Sequence, residues 1–369
     1  MDVNTELEHL RRLKMGGTTP YPVFLQLKSV FHLLESLASA RIEGNHTTLA
    51  DYIESKVAAP AAPTDALQEM DNIERAMREI ETNVQPGEPI SEAFIRGLHD
   101  IAVSGLVREG DATPGSYRAG QVRINAAEHL PPDAISVPGY MADLVHFVNR
   151  EDRPKYDLMK VALAHHRFAW IHPFGNGNGR VVRLLTYALL IKYGFRVNSV
   201  ERLLNPAAVF CADRDRYYSM LAQADRGSAP DLESWCVYVL TGILHELSKV
   251  GQLADYDQLQ ARVLLPAVTH AREFGEITEQ ETRILAATIR AKIVKAGDLE
   301  SALPGTNTAQ RTYLIRKLVA SGMLAPISEG ARQYTIGFSS NPLLRGIVRA
   351  LTEQGFVPPA LNGAIAAPA

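Results

Sequence analysis

A glycine-rich segment between two strongly apolar helical stretches constrains this chain more than any other feature. It reads His172-Pro173-Phe174-Gly175-Asn176-Gly177-Asn178-Gly179-Arg180, and Val181-Val182-Arg183 follows. Glycines at alternate positions let backbone N–H groups converge without obstruction by Cβ atoms, and a helix that begins there adds the positive end of its dipole. The segment therefore predicts a turn into a helix N-terminus with a cradle for phosphate.

Three side chains of this segment suit phosphate chemistry. Arg180 and Arg183 can form charge-assisted hydrogen bonds to one anion. Histidine titrates near neutral pH, so His172 can accept a proton from an attacking hydroxyl. The residues alone leave a second interpretation open, in which the segment is a structural turn, His172 caps a helix and the arginines form surface ion pairs.

The segment resembles the signature of the Fic family, HPFx[DE]GNGRxxR. The matching positions are His172, Pro173, Phe174, Gly177, Asn178, Gly179, Arg180 and Arg183. The resemblance implies transfer of AMP from ATP to a Ser, Thr or Tyr hydroxyl of the protein itself or of a target protein, with release of pyrophosphate. It implies His172 as general base, Asn178 on the α-phosphate, and Phe174 as an anchor of the loop. ATP would also contact Gly175, Gly177, Gly179, Arg180 on the β- and γ-phosphates, and Arg183.

One position departs from that pattern. Where the family has Asp or Glu to bind a metal ion that bridges the phosphates, this chain has Asn176. A neutral carbonyl oxygen is a weaker ligand for a hard cation than a carboxylate. We therefore expect Mg²⁺ or Mn²⁺ to be held mainly by the nucleotide, with Asn176 as a weak ligand. Asn176 also leaves open that the nucleotide or the transferred group differs from that of the family.

Residues 39–44, SARIEG, resemble the inhibitory motif [ST]xxxE[GN] of the same family. The resemblance implies that Glu43, on an N-terminal helix, pairs with Arg183 and keeps the γ-phosphate from its productive position. A carboxylate that can also orient a water would let the same site remove AMP. The alternative is a solvated glutamate near a helix C-terminus.

Two further segments agree with this interpretation. Residues 115–124, GSYRAGQVRI, predict a small β-hairpin, because the β-prone positions lie between glycines and Pro131-Pro132. The resemblance makes it a flap that binds the target segment by strand addition through Gln121, Val122, Arg123 and Ile124. The resemblance also brings Tyr217 and Tyr218 near the adenine, although tyrosines on a helix more often belong to the core.

Hydrophobic periodicity predicts a mainly α fold. One amphipathic helix covers residues 26–43, and a second begins after Thr48. The predicted core helices are Asp71–Thr82, Ser91–Ser104, Pro138–Arg150, Lys155–Ile171, Arg180–Tyr193 and Leu232–Val250. The expected organisation is an N-terminal region with the inhibitory helix (1–65), a helical Fic-type core with the hairpin flap (66–250), a connecting helix (251–274), a C-terminal winged-helix domain (275–345) and a tail (346–369).

The winged-helix prediction raises a second class of function. Three helical segments followed by a short hairpin are typical of that module. Residues 276–340 carry eight Lys or Arg and six Asp or Glu. This net positive charge is small compared with the charge on which phosphate-driven DNA binding depends. A DNA-binding regulator with a nucleotide-sensing core is therefore the rival to the enzyme, and protein docking or homodimer formation is the other use of such a module.

Composition agrees with an ordinary soluble protein. The net charge is −3 and the pI about 6.4, so nothing global favours nucleic acid or an anionic membrane. Only Cys211 and Cys236 are present, without CxxC spacing, and no signal-like N-terminus or membrane-spanning stretch is found. We expect a cytoplasmic protein without a membrane partner.

Overall fold

The computed structural model describes residues 5–6, 17–58, 63–124, 127–195, 206–338 and 342–361. Helices dominate these ranges. They are α1 (Tyr21–Ile42), α2 (Leu49–Ala58), α3 (Asp65–Asn83), α4 (Glu92–Val103), α5 (Val137–Asn149), α6 (Asp157–Ile171), α7 (Asn178–Lys192), α8 (Pro206–Cys211), α9 (Arg214–Ala224), α10 (Ala229–Gly251), α11 (Tyr256–Leu259), α12 (Leu265–Glu273), α13 (Glu279–Ala291), α14 (Thr308–Ala320) and α15 (Leu343–Glu353). Strands β1 (Leu324–Pro326) and β2 (Tyr334–Ile336) form an antiparallel pair.

The chain divides into two compact units. In their described parts, the first contains residues 1–14, 32–47 and 62–248, and the second contains 15–31, 48–61 and 249–369. Helix α1 contributes residues to both units. This division differs from the expected separate N-terminal region, because residues 32–47 belong to the same unit as the predicted core.

Helix α7 is the centre of the first unit. Every residue of α7 except Gly179 is buried, as its almost uniformly apolar sequence predicts. It packs against α3, α4 and α6, and α5 covers the other side of α6. The indole N–H of Trp235 on α10 donates to the Ala162 carbonyl of α6 at 2.7 Å. The helix that follows the loop therefore lies in the buried interior of the first unit.

The helices predicted between residues 26 and 250 are confirmed, with bounds within six residues of those expected. Thr48 accepts from the Asp51 N–H at 3.0 Å and caps α2, as expected from its hydroxyl. Helix α3 begins earlier than predicted, at Asp65, because the Thr64 hydroxyl accepts from the Leu67 N–H. The proline-rich spacer prediction at 58–64 falls partly on residues 59–62, which lie outside the described residues.

The second unit contains the predicted connecting helix as α11, a π-helical turn at Gln260–Leu264, and α12. Beyond it the expected order of helices and hairpin is found, except that the segment around 298–303 forms a 3₁₀ turn, Ala296–Leu299, rather than an α-helix. Its identity as a winged helix stays a prediction.

The expected tail at 346–369 is corrected by the structure. Residues Leu343–Glu353 form a helix that packs on α12 and buries Leu344, Ile347 and Leu351. Their spacing in the sequence gives this helix one apolar face. The last eight residues lie outside the described residues.

None of the helices within the described ranges is long and apolar enough to span a bilayer. Cys211 and Cys236 are both buried and unpaired with each other. Burial raises the pKa of each thiol to about 11, so neither is a reactive thiolate.

Candidate active site

The predicted loop connects α6 to α7 in a tightly fixed conformation. His172 ends α6 in the left-handed region (φ 50°), and Gly177 (φ 75°) precedes α7. Asn178 closes the loop with both ends of its amide: Oδ1 accepts from the Phe174 N–H at 2.9 Å and Nδ2 donates to the Phe174 carbonyl at 2.9 Å. Phe174 is fully buried, which confirms it as the anchor of the loop. Asn178 is buried as well, and its bonds to Phe174 would compete with a contact to an α-phosphate. That expected contact stays a prediction.

Arg118 fixes the start of the loop from a neighbouring segment. Its Nε donates to the His172 carbonyl at 2.8 Å, its backbone N–H donates to the Pro173 carbonyl at 2.9 Å, and its Nη2 donates to the Pro132 carbonyl at 2.5 Å. The side chain is buried. One guanidinium therefore couples the backbone of this loop to the segment predicted as the flap.

That segment does not form the predicted hairpin. Gln121–Ile124 has no strand assignment, and residues 125–126 lie outside the described residues. The returning arm carries Pro131 and Pro132, which have no N–H to donate to a ladder. The two arms are joined instead through side chains, among them Gln121 Nε2, which donates to the Pro131 carbonyl at 2.7 Å. The expected target-binding role of 121–124 stays a prediction.

Both ends of the Asn176 amide are bound to backbone groups. Its Nδ2 donates to the Gly110 carbonyl at 3.1 Å, and its Oδ1 accepts from the Gly177 N–H at 2.7 Å. Its backbone N–H donates to Asp111 Oδ2 at 2.9 Å. Among the described residues no cluster of three His, Cys, Asp or Glu side chains is arranged for a metal ion. The residues present do not fit a cation held by the loop through Asn176.

Arg180 points into the protein. Its guanidinium is 1% exposed, lies 3.2 Å from Glu69 Oε1 and donates to the Glu109 carbonyl at 2.7 Å. Burial raises the pKa of Glu69, and Arg180 opposes that rise. In this position Arg180 fixes α7 to α3 and to the segment after α4. Its predicted contact with β- and γ-phosphates would require it to leave these partners.

Arg183 pairs with Glu43, as the inhibitory-motif resemblance implies. Its Nη2 donates to Glu43 Oε1 at 2.7 Å, and its Nε donates to the Ser39 hydroxyl at 2.8 Å. Burial opposes the charged form of Glu43, yet the Arg183 guanidinium holds its pKa below the usual value. The carboxylate is therefore an anion at neutral pH, bound beside the N-terminus of α7.

Glu43 also occupies the space above Gly179. A Cβ atom at Gly179 would lie 2.0 Å from Glu43 Oε1 and 2.7 Å from its Cδ. Glycine at this position thus permits the carboxylate to approach the first turn of α7. A helix N-terminus attracts anions, so Glu43 fills a place that suits phosphate.

His172 has the protonation state of a base. Its Nδ1 lies 3.4 Å from the Ala169 carbonyl, an arrangement that assigns the proton to Nδ1 and leaves Nε2 as an acceptor. Burial lowers the pKa of His172 to about 4, although Glu43 acts in the opposite direction. The imidazole is therefore neutral at pH 7 and able to take a proton.

The two tyrosines have different environments. Tyr217 is buried, and its hydroxyl lies 2.9 Å from Nε2 of the buried His165, so it packs behind the site. Tyr218 is 39% exposed, and its hydroxyl lies 3.4 Å from the Ile42 carbonyl. Only Tyr218 has a face available to a base, and both predicted adenine contacts stay predictions.

Sequence reasoning missed the residues that hold the site from outside the motif. They are His99, Asp111 and Arg118, which form hydrogen bonds to the loop backbone. Arg118 lies in the GSYR string that was identified as part of the flap, so a signal existed for it. His99 and Asp111 belong to segments without a local motif, and only the tertiary fold brings them to the loop.

Comparison with known proteins agrees with this geometry. The model of the Fic/DOC family matches residues 89–190. A "Protein adenylyltransferase Fic" of Nematostella vectensis is 29% identical over 220 residues, which are 58% of this chain and 47% of that protein. The protein of the same name from Drosophila virilis is 30% identical over 196 residues, which are 51% of this chain and 37% of that protein. The matches thus span less than half the length of these relatives.

Solved structures share the fold. A Fic domain containing signaling protein from Bacteroides thetaiotaomicron superposes with a TM-score of 0.54 and 22% identity, covering 68% of this chain and 95% of that one. A Fic family protein from Desulfovibrio desulfuricans gives a TM-score of 0.53 and 22% identity, covering 91% of this chain and 96% of that one. At this identity the likeness concerns architecture alone.

Proposed function

Because the chain contains a Fic/DOC domain at residues 89–190, we propose that it is a nucleotidyltransferase that moves AMP from ATP to a protein hydroxyl and is inhibited by its own Glu43. The observation that carries the proposal is the position of the Glu43 carboxylate. It lies against Gly179 at the first turn of α7 and accepts from Arg183 at 2.7 Å. An anion already occupies the place where the phosphates of ATP would bind.

The proposed reaction uses His172 as its base. Nε2 takes the proton of a Ser, Thr or Tyr hydroxyl, and the hydroxyl oxygen attacks the α-phosphorus of ATP. A new P–O bond forms, the bond between the α-phosphorus and the bridging oxygen breaks, and pyrophosphate leaves with its electron pair. The low pKa of His172 supports this role, because the neutral imidazole is the dominant form at pH 7.

The loop contributes position and electrostatics. Backbone N–H groups at the start of α7 and its dipole would stabilise charge on the phosphates as it develops. Glu43 would oppose ATP binding here in two ways: its charge repels the γ-phosphate, and its ion pair occupies Arg183. Release of Glu43 would therefore free both the space and the cation for ATP.

Label transfer tests the proposal. Purified protein is incubated with α-labelled or γ-labelled ATP in Mg²⁺ or Mn²⁺, using wild type, Glu43→Gly and Glu43→Gly/His172→Ala. We expect transfer of the α-label only, at least about tenfold greater for Glu43→Gly than for wild type, and lost with His172→Ala. Transfer of the γ-label would identify a kinase instead.

A control variant separates loss of the brake from general loosening of α1. Ser36 is buried on α1 and its hydroxyl donates to the Leu33 carbonyl at 2.8 Å, within the same helix. Ser36→Ala should leave transfer at the wild-type level. Absence of transfer for every variant and metal, together with measurable ATP binding, would contradict the proposal and favour a nucleotide-sensing regulator.

The target of transfer is a protein or this chain itself. Support for a segment bound in extended form comes from Gln121–Ile124, where the backbone N–H groups have no backbone acceptor within the described residues. A segment added along this edge would bring its hydroxyl toward His172. Hydrogen exchange of these amides, measured with and without a peptide that carries the transferred AMP, tests the contact. Slower exchange in the presence of the peptide is the expected result.

Removal of AMP by the same site is a second activity that the position of Glu43 favours. Its carboxylate is partly exposed, with 29% of the side chain accessible, and could orient a water toward a bound phosphodiester. Release of AMP from a premodified target by wild type, but not by Glu43→Gly, is the expected result. Equal absence of release from both would dismiss it.

A further inference from the structure

The residue that replaces the family's acid is held by a carboxylate from elsewhere in the chain. Asp111 Oδ2 accepts the Asn176 N–H at 2.9 Å, and its Oδ1 accepts the Thr113 N–H at 2.8 Å. The Asp111 side chain is 4% exposed. Burial opposes its charge, yet these two N–H groups keep its pKa below the usual value. A buried, ionised carboxylate thus lies directly behind the loop.

His99 holds the other backbone group of Asn176. Gly115 N–H donates to His99 Nδ1 at 3.0 Å, so Nε2 carries the proton and donates to the Asn176 carbonyl at 3.1 Å. The His99 ring is fully buried and stacks on Phe174 with centroids 3.8 Å apart and an interplanar angle of 3°. Burial lowers the pKa of His99, which keeps this neutral tautomer.

The flanking glycines allow close approach of side chains from outside the motif, Asp111 at Gly175 and Val103 at Gly177. A Cβ at Gly175 would lie 2.9 Å from Asp111 Oδ2, and a Cβ at Gly177 would lie 3.5 Å from His99 Cδ2 and 2.8 Å from Val103 Cγ1. The Gly-Asn-Gly sequence therefore reflects close packing on residues outside the motif as well as the needs of a phosphate cradle.

We propose that His99 and Asp111 are positioning residues that hold the phosphate loop through the backbone of Asn176, and that residue 176 is neutral because Asp111 supplies the carboxylate at this point. We refer to His99, Asp111 and Asn176 together as the 176 clamp. The importance of the clamp for transfer rests on the function proposed above; its effect on the loop does not.

The clamp predicts that restoring the family's acid damages this protein. In Asn176→Asp the bond from Gly177 N–H can persist, but the second oxygen faces the Gly110 carbonyl, acceptor against acceptor. The new charge also lies near Asp111, whose backbone follows Gly110 directly. Like charges at close range in a buried setting are unfavourable.

Asp111→Asn damages the clamp differently. A carboxamide has one acceptor oxygen, whereas Asp111 uses one oxygen for Asn176 and the other for Thr113. One N–H group therefore loses its partner. Combined with Asn176→Asp, however, the same change removes the repulsion between two carboxylates. Asp111→Asn is therefore expected to be unfavourable with Asn at residue 176 and favourable with Asp there, so that the two substitutions are coupled.

A double-mutant cycle in the Glu43→Gly background tests the proposal. Variants Asp111→Asn, Asn176→Asp and the double substitution are compared by kcat and KM for α-label transfer, by ATP binding in calorimetry, and by thermal unfolding. We expect each single substitution to lower kcat/KM about tenfold, and Asp111→Asn to raise it when added to Asn176→Asp. His99→Gln, which can keep the donor to the Asn176 carbonyl, should retain more activity than His99→Ala.

A matched control is Asp100→Asn. Asp100 is exposed and adjacent to His99 in sequence, so this variant removes a nearby carboxylate without removing a contact to the loop. It should behave as the parent. An increase of transfer or of metal-dependent ATP affinity in Asn176→Asp would overturn the proposal, as would strict additivity in the cycle. If no variant transfers label, the sign of the coupling in thermal unfolding still decides the clamp, while the proposed function fails separately.

Discussion

The Glu43 carboxylate accepts a hydrogen bond from Arg183 at 2.7 Å while it lies in the space that a side chain at residue 179 would fill. The contact between Glu43 and Arg183 therefore depends on the smallest residue of the loop as well as on an ion pair. Both partners belong to the first unit, and the Arg183 side chain on α7 is 2% exposed. This relationship makes the proposed inhibition testable by more than removal of Glu43.

Gly179→Ala should displace Glu43. The added Cβ requires the carboxylate to move, which lengthens or breaks its bond to Arg183 and leaves that buried cation without its partner. We expect a loss of about 1 kcal/mol in the free energy of unfolding with Glu43 present and a smaller loss in Glu43→Gly. Chemical denaturation of the four variants of this cycle measures the difference. Equal losses in both backgrounds would show that Glu43 does not occupy this space in solution.

Ser39→Ala should weaken the brake partially. The Ser39 hydroxyl accepts from Arg183 Nε at 2.8 Å, and Arg183 Nη2 also donates to the Ser39 carbonyl at 3.0 Å, which the variant keeps. We expect α-label transfer between the wild-type and Glu43→Gly levels, because Arg183 becomes less firmly oriented toward Glu43. Ser36→Ala is the comparison, and transfer equal to it would mean that the Ser39 hydroxyl has no part in inhibition.

The sequence predicted the helical core, the loop and the contact between Glu43 and Arg183, because each has a local signature. These signatures are apolar periodicity in α6 and α7, glycine spacing at 175–179, and Ser39 and Glu43 at the end of α1. Contacts that only the tertiary fold brings together cannot be predicted in this way. Arg180 belongs to the motif, yet Glu69 and the Glu109 carbonyl bind it in the interior. The hairpin prediction considered β-propensity at Val122 and Ile124 but not the missing N–H groups of the two prolines opposite.

Transfer by the uninhibited enzyme should persist in mild acid. Burial lowers the pKa of His172 to about 4, and Glu43→Gly removes a carboxylate that acts to raise it. The base therefore stays unprotonated well below the pH of about 6.5 at which a free histidine titrates. We expect kcat/KM of Glu43→Gly for α-label transfer to remain flat from pH 8 to about pH 5. A fall centred near pH 6.5 would indicate that His172 is solvated.

Arg118→Lys should disrupt the loop more than its retained charge suggests. Lysine has one ammonium group and cannot reproduce the separate bonds to the His172, Gly120 and Pro132 carbonyls. We expect a loss of about 2 kcal/mol in unfolding free energy and reduced α-label transfer. Arg123→Lys, at an exposed position of the same segment, is the control for the unfolding measurement. Comparable effects of the two substitutions would contradict the role of Arg118.

The buried Glu35 on α1 should make the free energy of unfolding decrease as the pH rises. It is 4% exposed, and the Ala207 N–H donates to its Oε1 at 2.8 Å and to its Oε2 at 2.9 Å. Burial raises its pKa to about 8, while the Ala207 N–H and Arg183 act to lower it. Between its ordinary pKa, near 4.5, and pH 8 the folded state holds a proton that the unfolded chain has lost. The contribution of Glu35 is therefore complete below pH 4.5 and decreases as pH rises through that interval, with a slope of at most about 1.4 kcal/mol per pH unit.

Glu35→Gln, which cannot ionise, should lose less stability than wild type between pH 5 and pH 8.5 in denaturant unfolding. Parallel curves for the two proteins would show that Glu35 is ionised in the folded state.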